Sequence, residues 1–542
     1  MRSLILYSVL ALLLFNCKGL KKLPEGEKLY TGAKIKVNTQ KPDRAARIRE
    51  KLVTIPEPKP NVKFLGMRPF LWLHNQIKEP DKEKGFKYWL KYKIGKPPIL
   101  LSMVEPERVA NQLGNALYND GYFKNKVDYD IRTKEKSKTA SVLYTTQPNV
   151  QFTIKEISYP KDSIDIEHLE EIRKGSLLKT GQNYSLERIE KERLRIEQVL
   201  KDSGYYYFDH SFIIFLADST VGNHEVELIA TMAKQTPQKA KIKYKIDEIT
   251  MLVSSGLLNQ NDSLNKTQTT EPVTVDGITY YDAENRYKPK ALVRFVEVEE
   301  GQVYHKINYQ QTVRQLFSLQ NFNYVDMNFP ESEKEGYLNA KLNLITKPMK
   351  SIRLEIQATS ESNNFVGSSI TTTFLNRNFF RGAEIFNLSL TTGFETQISG
   401  QQQNALNSYE VSLRSSVKIP RLISPFGFRE VKNKYVPHTT IGLGLETIRR
   451  TNFYSFNSAE INFGYEWIQS ETVRHELFPV VLKLTQLTSV SDDFREILDQ
   501  NPLLRESYEE QFIVGSKYNF IINTRSLEGN VNKTNNFFFD FS

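Results

Sequence analysis

The hydrophobic period of the chain changes near residue 350. Beyond Lys350, apolar and polar residues alternate in Ile352/Leu354/Ile356, Phe386/Leu388/Leu390, Val411/Leu413, Ile441/Leu443/Leu445, Ile461/Phe463/Tyr465/Trp467, Leu482/Leu484, and Phe512/Val514 with Tyr518/Phe520/Ile522. A period of two predicts strands with one apolar face. The intervening positions are mostly Asn, Ser, Thr, Gly, Arg and Glu. Long runs of this kind are the signature of a transmembrane β-barrel, although a soluble sandwich alternates as well. The strand lengths favour the barrel, as do Phe379, Phe380, Phe453, Tyr454 and Trp467 near strand ends, where aromatics form interfacial girdles.

Before residue 350 the period is helical, and one pattern recurs three times: a glycine turn, a helix, then Gly or Asn followed by an aromatic and a strand. The closest pair begins at Gly181-Gln182-Asn183-Tyr184 and at Gly301-Gln302-Val303-Tyr304. The first continues through a helix over 185–203, with Leu186, Ile189, Leu194, Ile196 and Leu200 on its face. Gly204 follows as a left-handed cap, and Tyr205, Tyr206 and Tyr207 open a strand. The second runs from Lys306 to Leu319 through Val313, Leu316 and Phe317, with Asn321 in the cap position. The earliest copy, Gly95 to Phe123, carries Val109, Leu113 and Leu117 and ends at Gly121-Tyr122-Phe123. β-rich stretches near 140–147, 151–159, 225–232, 241–250 and 338–346 complete units of the form β-α-α-β-β. The predicted units are 18–149 with an insertion about 42–93, 150–238, and 239–350 with a polar loop inserted about 254–290; the barrel segment is 351–542.

Cys17 is the only cysteine, so no intrachain disulfide exists. It follows Met1-Arg2-Ser3, an apolar run from Leu4 to Phe15, and Asn16, which together read as a bacterial lipoprotein signal over 1–17. The run is too short for a spanning helix. Acylation of Cys17 would hold the mature N-terminus at a membrane.

Chemistry is otherwise sparse. The seven histidines form no His-Glu-x-x-His, no Gly-x-Ser-x-Gly elbow is present, and a lone cysteine cannot build a thiolate cluster. The chain reads as no enzyme, with no cofactor and no metal. The net charge of +10 comes from lysines scattered among glutamates, a solvated surface rather than a nucleic-acid footprint. The acidic stretch 162–171 reads as a solvated helix start.

The repeats and the early-strand motif Phe374-Leu375-Asn376-Arg377-Asn378-Phe379-Phe380-Arg381-Gly382-Ala383-Glu384 together resemble the BamA/TamA superfamily of outer-membrane assembly proteins, with the repeats as POTRA domains. Within it, Leu23-Pro24-Glu25-Gly26-Glu27-Lys28-Leu29-Tyr30 and the insertion from Gly66-Met67-Arg68-Pro69 through Leu71-Trp72-Leu73 to Trp89 resemble the lipid-anchored TamA-like (TamL-type) proteins of Bacteroidetes. The resemblance implies an outer-membrane lipoprotein with periplasmic POTRA units that guide unfolded outer-membrane client proteins by β-augmentation to a barrel seam. It also implies contact with outer-membrane lipid and a large periplasmic TamB-like partner. The family barrel has about sixteen strands, and the alternating runs here supply roughly half. The family's Val-Arg-Gly-Phe/Tyr loop is absent, because Arg381-Gly382 belongs to the early-strand motif. The chain therefore reads as the N-terminal part of a longer protein. A two-partner-type secretion pore and a lipoprotein scaffold with a small anchoring barrel are the alternatives.

Overall fold

The computed structural model describes residues 20, 22–64, 66–133, 137–159, 172–255, 271–360, 365–397, 407–423, 435–523 and 536–541; Cys17 and the acidic stretch 162–171 lie outside them. No helix among them is long and apolar enough to cross a membrane.

In the first repeat, β1 (Leu29–Val37), helix α1 (Pro42–Leu52), α2 (Pro69–Gln76) and α3 (Pro106–Asn119) precede β2 (Lys126–Thr133) and β3 (Thr139–Gln147). β3 is central, parallel to β1 and antiparallel to β2. Its alternation buries Ala140, Val142, Tyr144 and Thr146 on one face. Against that face lie Val109, Leu113 and Leu117 of α3 with Ile48 and Leu52 of α1. This corrects the insertion predicted from residue 42: α1 is a core helix of the repeat, and the inserted chain starts after Leu52. Each such fully buried side chain contributes roughly 1.5–3 kcal/mol.

The second repeat has β4 (Thr153–Ser158), α4 (Leu186–Asp202), β5 (Ile213–Asp218) and β6 (Glu225–Met232), in sheet order β4-β6-β5 with β4 parallel to β6. Ile189 and Ile196 are buried, but Leu194 is 51% exposed, so it is not on the packed face. Its place is taken by Glu192, fully buried because it accepts from Arg195 at 2.8 Å and from the Leu177 N–H at 2.9 Å. Tyr205–Tyr207 form turns rather than a strand; β5 begins at Ile213.

In the third repeat β7 (Lys245–Ser254), β8 (Val273–Val275), β9 (Ile278–Asp282), α5 (Pro289–Val293), α6 (Lys306–Ser318), β10 (Phe322–Asn328) and β11 (Tyr337–Thr346) give the order β10-β11-β7-β9-β8. The segment predicted as a loop over 254–290 is thus partly a hairpin. Asp276 and Gly277, both at positive φ, turn β8 into β9, which lies parallel to β7. Phe317 is 57% exposed, and the left-handed residue after α6 is Gln320 (φ 63°), not Asn321.

The described residues beyond 349 form one nine-stranded antiparallel meander: β12 (Lys350–Ser360), β13 (Phe365–Asn376), β14 (Ile385–Gln397), β15 (Asn407–Ile419), β16 (His438–Arg450), β17 (Tyr454–Ser470), β18 (Val473–Val490), β19 (Gln511–Asn523) and β20 (Asn536–Phe541). Between β18 and β19 stand α7 (Asp492–Gln500) and α8 (Pro502–Glu506). The fold class read from the sequence, mixed α/β repeats followed by a large antiparallel sheet, is borne out. Among the described residues β12 and β20 each pair on one side only.

The turn after α4 gives a stability test. Gly204 (φ +105°) stands where a Cβ would meet Val303 Cγ1 at 2.6 Å, whereas Gly301 (φ +77°) has open space. Gly204→Ala is expected to destabilise by about 1–3 kcal/mol and Gly301→Ala by about 1. Urea midpoints from pulse proteolysis check the order, and equal midpoints would count against the close approach.

Candidate functional site

The residues that end each helix build a repeated joint. α3 ends at Asn119, and Gly121 (φ +83°) turns the chain so that its carbonyl accepts from Phe152 N at 2.9 Å; Tyr184 N then donates to Phe152 O at 2.9 Å. Gly181 N and Ile154 O close the same turn at 2.7 Å. Phe123, Phe152 and Tyr184 meet edge to face at 4.9 Å. The pattern returns after α4: Gly204 O accepts from Tyr244 N at 2.9 Å, Tyr304 N donates to Tyr244 O at 2.9 Å, and Gly301 N to Ile246 O at 2.8 Å. The six cap and turn positions predicted from the sequence therefore make two equivalent clusters, Gly121 with Gly181 and Tyr184, and Gly204 with Gly301 and Tyr304.

A third joint uses other residues. Asn321 O accepts from Lys347 N at 2.8 Å, and Arg377 N donates to Met349 O at 2.8 Å. The β13–β14 turn thus stands where the repeats place their Gly-Gln-x-Tyr turn. Asn321, 1% exposed, also donates its side-chain amide to Arg377 O. The Arg377 guanidinium reaches back to Pro348 O at 3.0 Å and Ser351 Oγ at 3.3 Å, tying the root of β12.

The rest of the motif is held from both sides. Glu384 folds its carboxylate back onto its own turn, accepting from Gly382 N at 2.8 Å and Phe380 N at 3.2 Å. A Cβ at 382 would stand 2.2 Å from Glu384 Oε1, which accounts for the glycine. Arg381 and Ala383 take positive φ, a strained state that persists only where surroundings impose it. Those surroundings come from the segment after β9. Lys288 N donates to Arg381 O at 2.8 Å, Asn285 O accepts from the Arg381 guanidinium at 2.6 Å, and Arg286 O accepts from Asn378 Nδ2 at 2.9 Å. Asp282 braces this platform by accepting from Arg286 N at 2.8 Å, Tyr287 N at 3.0 Å and Tyr280 Oη at 3.1 Å. Burial pushes the Tyr287 hydroxyl up to about 12, so it stays a neutral donor and acceptor. Phe380 is exposed beside Phe379, which stacks on Phe386 at 4.5 Å.

The platform of Asp282, Asn285, Arg286 and Tyr287 was missed from the sequence. The signal available was Asp276-Gly277 between two alternating runs, a hairpin turn inside what read as a polar loop.

The large sheet presents two unlike faces. Pairing register sets Leu354, Thr372, Leu390, Leu413, Leu445, Ala459, Leu484 and Phe512 in one row across eight strands. Its large members are exposed, Leu354 at 64%. The opposite face carries ion pairs: Lys418 with Glu466 at 2.6 Å, and Arg474 with Glu466 at 2.6 Å and Glu476 at 2.8 Å.

No protein-family model matches the chain, and no curated protein sequence matches it. Solved structures that it resembles include Haemophilus influenzae BamA POTRA3-5 (12% identity, 60% of this chain and 99% of that one, TM-score 0.31). Others are BamA from Haemophilus ducreyi lacking POTRA domains 1-3 (10%, 70% and 68%, TM-score 0.33) and CdiB from Acinetobacter baumannii (10%, 70% and 66%, TM-score 0.25).

Removing the Glu384 carboxylate leaves two N–H groups of the motif turn unpaired, at a cost of about 1–3 kcal/mol. Glu384→Ala is expected to open the turn and raise the rate of limited tryptic cleavage after Arg381 severalfold. An unchanged rate would show that the platform alone holds the turn.

Proposed function

We propose that this chain is an outer-membrane protein assembly factor of the BamA/TamA superfamily, of the lipid-anchored TamA-like (TamL) type. In this reading the large sheet lies in the outer membrane with its apolar row toward lipid, the repeats act as periplasmic POTRA units, and Cys17 carries the anchor. The observation that carries it is the placement of the sheet's first strand. β12 has one unpaired edge among the described residues and is joined through Lys347-Pro348-Met349 to β11 of the third repeat, whose own outer strand β10 is also unpaired on one side. An extended client segment adds to such an edge through backbone hydrogen bonds, which give affinity with little sequence preference. The role suits unfolded outer-membrane clients, and a large periplasmic TamB-like protein is the partner assigned to it. No nucleotide or metal chemistry enters; the energy is that of client folding.

The charged face favours one second reading. Ion pairs at Glu466 suit a wetted lumen, as in a two-partner-type secretion pore. Depletion separates the two: general loss of outer-membrane proteins supports assembly, and loss of one secreted substrate supports the pore.

Leu354→Pro in the full-length protein removes a backbone donor from β12. It is expected to impair client insertion while protein level and membrane fractionation remain near wild type, and normal insertion in that background would refute the role given to β12.

A further inference from the structure

We propose that the chain inserted into the first repeat, residues 53–95, docks on an anionic lipid surface. This segment holds nine of the lysines and arginines against four acidic residues, so a short stretch supplies +5 of the chain's net +10. It also holds Trp72 and Trp89, two of the three tryptophans. The repeat's core does not need these side chains: Phe86 is 73% exposed and Trp89 48% exposed, although the two rings stack at 5.9 Å. Exposed Lys82, Lys84 and Lys87 surround that pair in sequence. The exception is Lys91, buried and paired with Glu79, a contact that holds the insertion's own fold.

A tryptophan with an apolar body and a polar N–H belongs at the headgroup level of a bilayer, and lysines beside it are drawn to anionic headgroups. Neither feature alone selects lipid, because a lysine run is ordinarily a solvated face. Their combination on exposed side chains that lie outside the repeat's core does select it. The seating of α2 strengthens the case. Leu71 of α2 is fully buried in a small cluster with Leu20, Leu23, Leu29 and Leu100, so the N-terminal segment seats directly on this element.

The proposal rests on the membrane reading above, and one experiment separates their failures. The full chain is reconstituted into bilayer discs of brominated phosphatidylcholine, with or without phosphatidylglycerol, and fluorescence of the wild type is compared with that of Trp89→Phe. The difference reports Trp89. In the Trp72→Phe, Trp89→Phe double variant the remaining Trp467, on the apolar side of β17 by register, reports the sheet. Docking predicts Trp89 quenching in discs containing phosphatidylglycerol. That quenching is expected to be largely lost in about 1 M salt, where screening acts within a few ångströms, and in the Lys82→Gln, Lys84→Gln, Lys87→Gln triple variant. Trp89 that stays water-exposed while Trp467 is quenched overturns the docking proposal alone. Quenching equal in phosphatidylcholine and indifferent to the triple variant overturns it too, as does shielding that appears only with added periplasmic protein. Unquenched Trp467 overturns the reading of the sheet.

Discussion

The modules of this chain hang on one kind of hydrogen bond. A helix ends with carbonyls that have no partner within it, and here a residue two or three positions past the long helix of each repeat gives its carbonyl to the residue that leads into the next repeat or into the large sheet. Gly121 does so to Phe152, Gly204 to Tyr244, and Asn321 to Lys347, at 2.9, 2.9 and 2.8 Å. The bond is short-range and buried, so the backbone must approach closely. A Cβ at Gly121 would meet Tyr184 Cβ at 3.0 Å, and one at Gly204 would meet Val303 at 2.6 Å. At the third joint the left-handed step moves back to Gln320, which leaves position 321 open to a side chain. Asparagine uses that freedom to reach Arg377 O. The change from glycine to asparagine is therefore a change of recipient: two joints receive another repeat turn, and the third receives the β13–β14 turn of the large sheet.

Much of this was legible in the sequence, and the reasons differ by element. Glycine followed by an aromatic marks a helix end because only a residue without Cβ takes the left-handed turn cheaply. Strict alternation beyond residue 350 marks strands because successive side chains point to opposite faces. What failed were positions where a polar residue did an apolar one's work. Glu192 took the buried place that periodicity gave to Leu194, since Arg195 and the Leu177 N–H satisfy its carboxylate. Pro42–Leu52 read as inserted because its charge density hides Ile48 and Leu52, two residues that enter the core.

The candidate site shows the same divide. Arg377, Arg381, Gly382 and Glu384 were readable as a motif, but nothing local to them shows what they rest on. Their platform lies about 95 residues upstream, where Arg381 meets Asn285. It exists because a hairpin adds β9 alongside β7 and delivers Asp282 through Tyr287 to the turn. Long-range pairing of this kind leaves no periodic trace. The single local sign, Asp-Gly, specifies a turn without saying where the hairpin will lie.

The two faces of the large sheet set the limits on what it can do. A sheet is one residue thick, so a row of exposed leucines on one side and paired charges on the other require different solvents a few ångströms apart. Water on both sides leaves the apolar row exposed across eight strands, far beyond the scattered apolar residues a soluble surface tolerates. Lipid on both sides buries Glu466, Lys418 and Arg474 at a cost their pairing would only partly offset. Lipid against one face and water against the other satisfies both. In lipid, however, an unpaired strand edge is expensive, because no water replaces its hydrogen bonds. An edge such as that of β12 is therefore driven to pair. β12, rooted by Arg377 beside the third repeat, carries such an edge among the described residues.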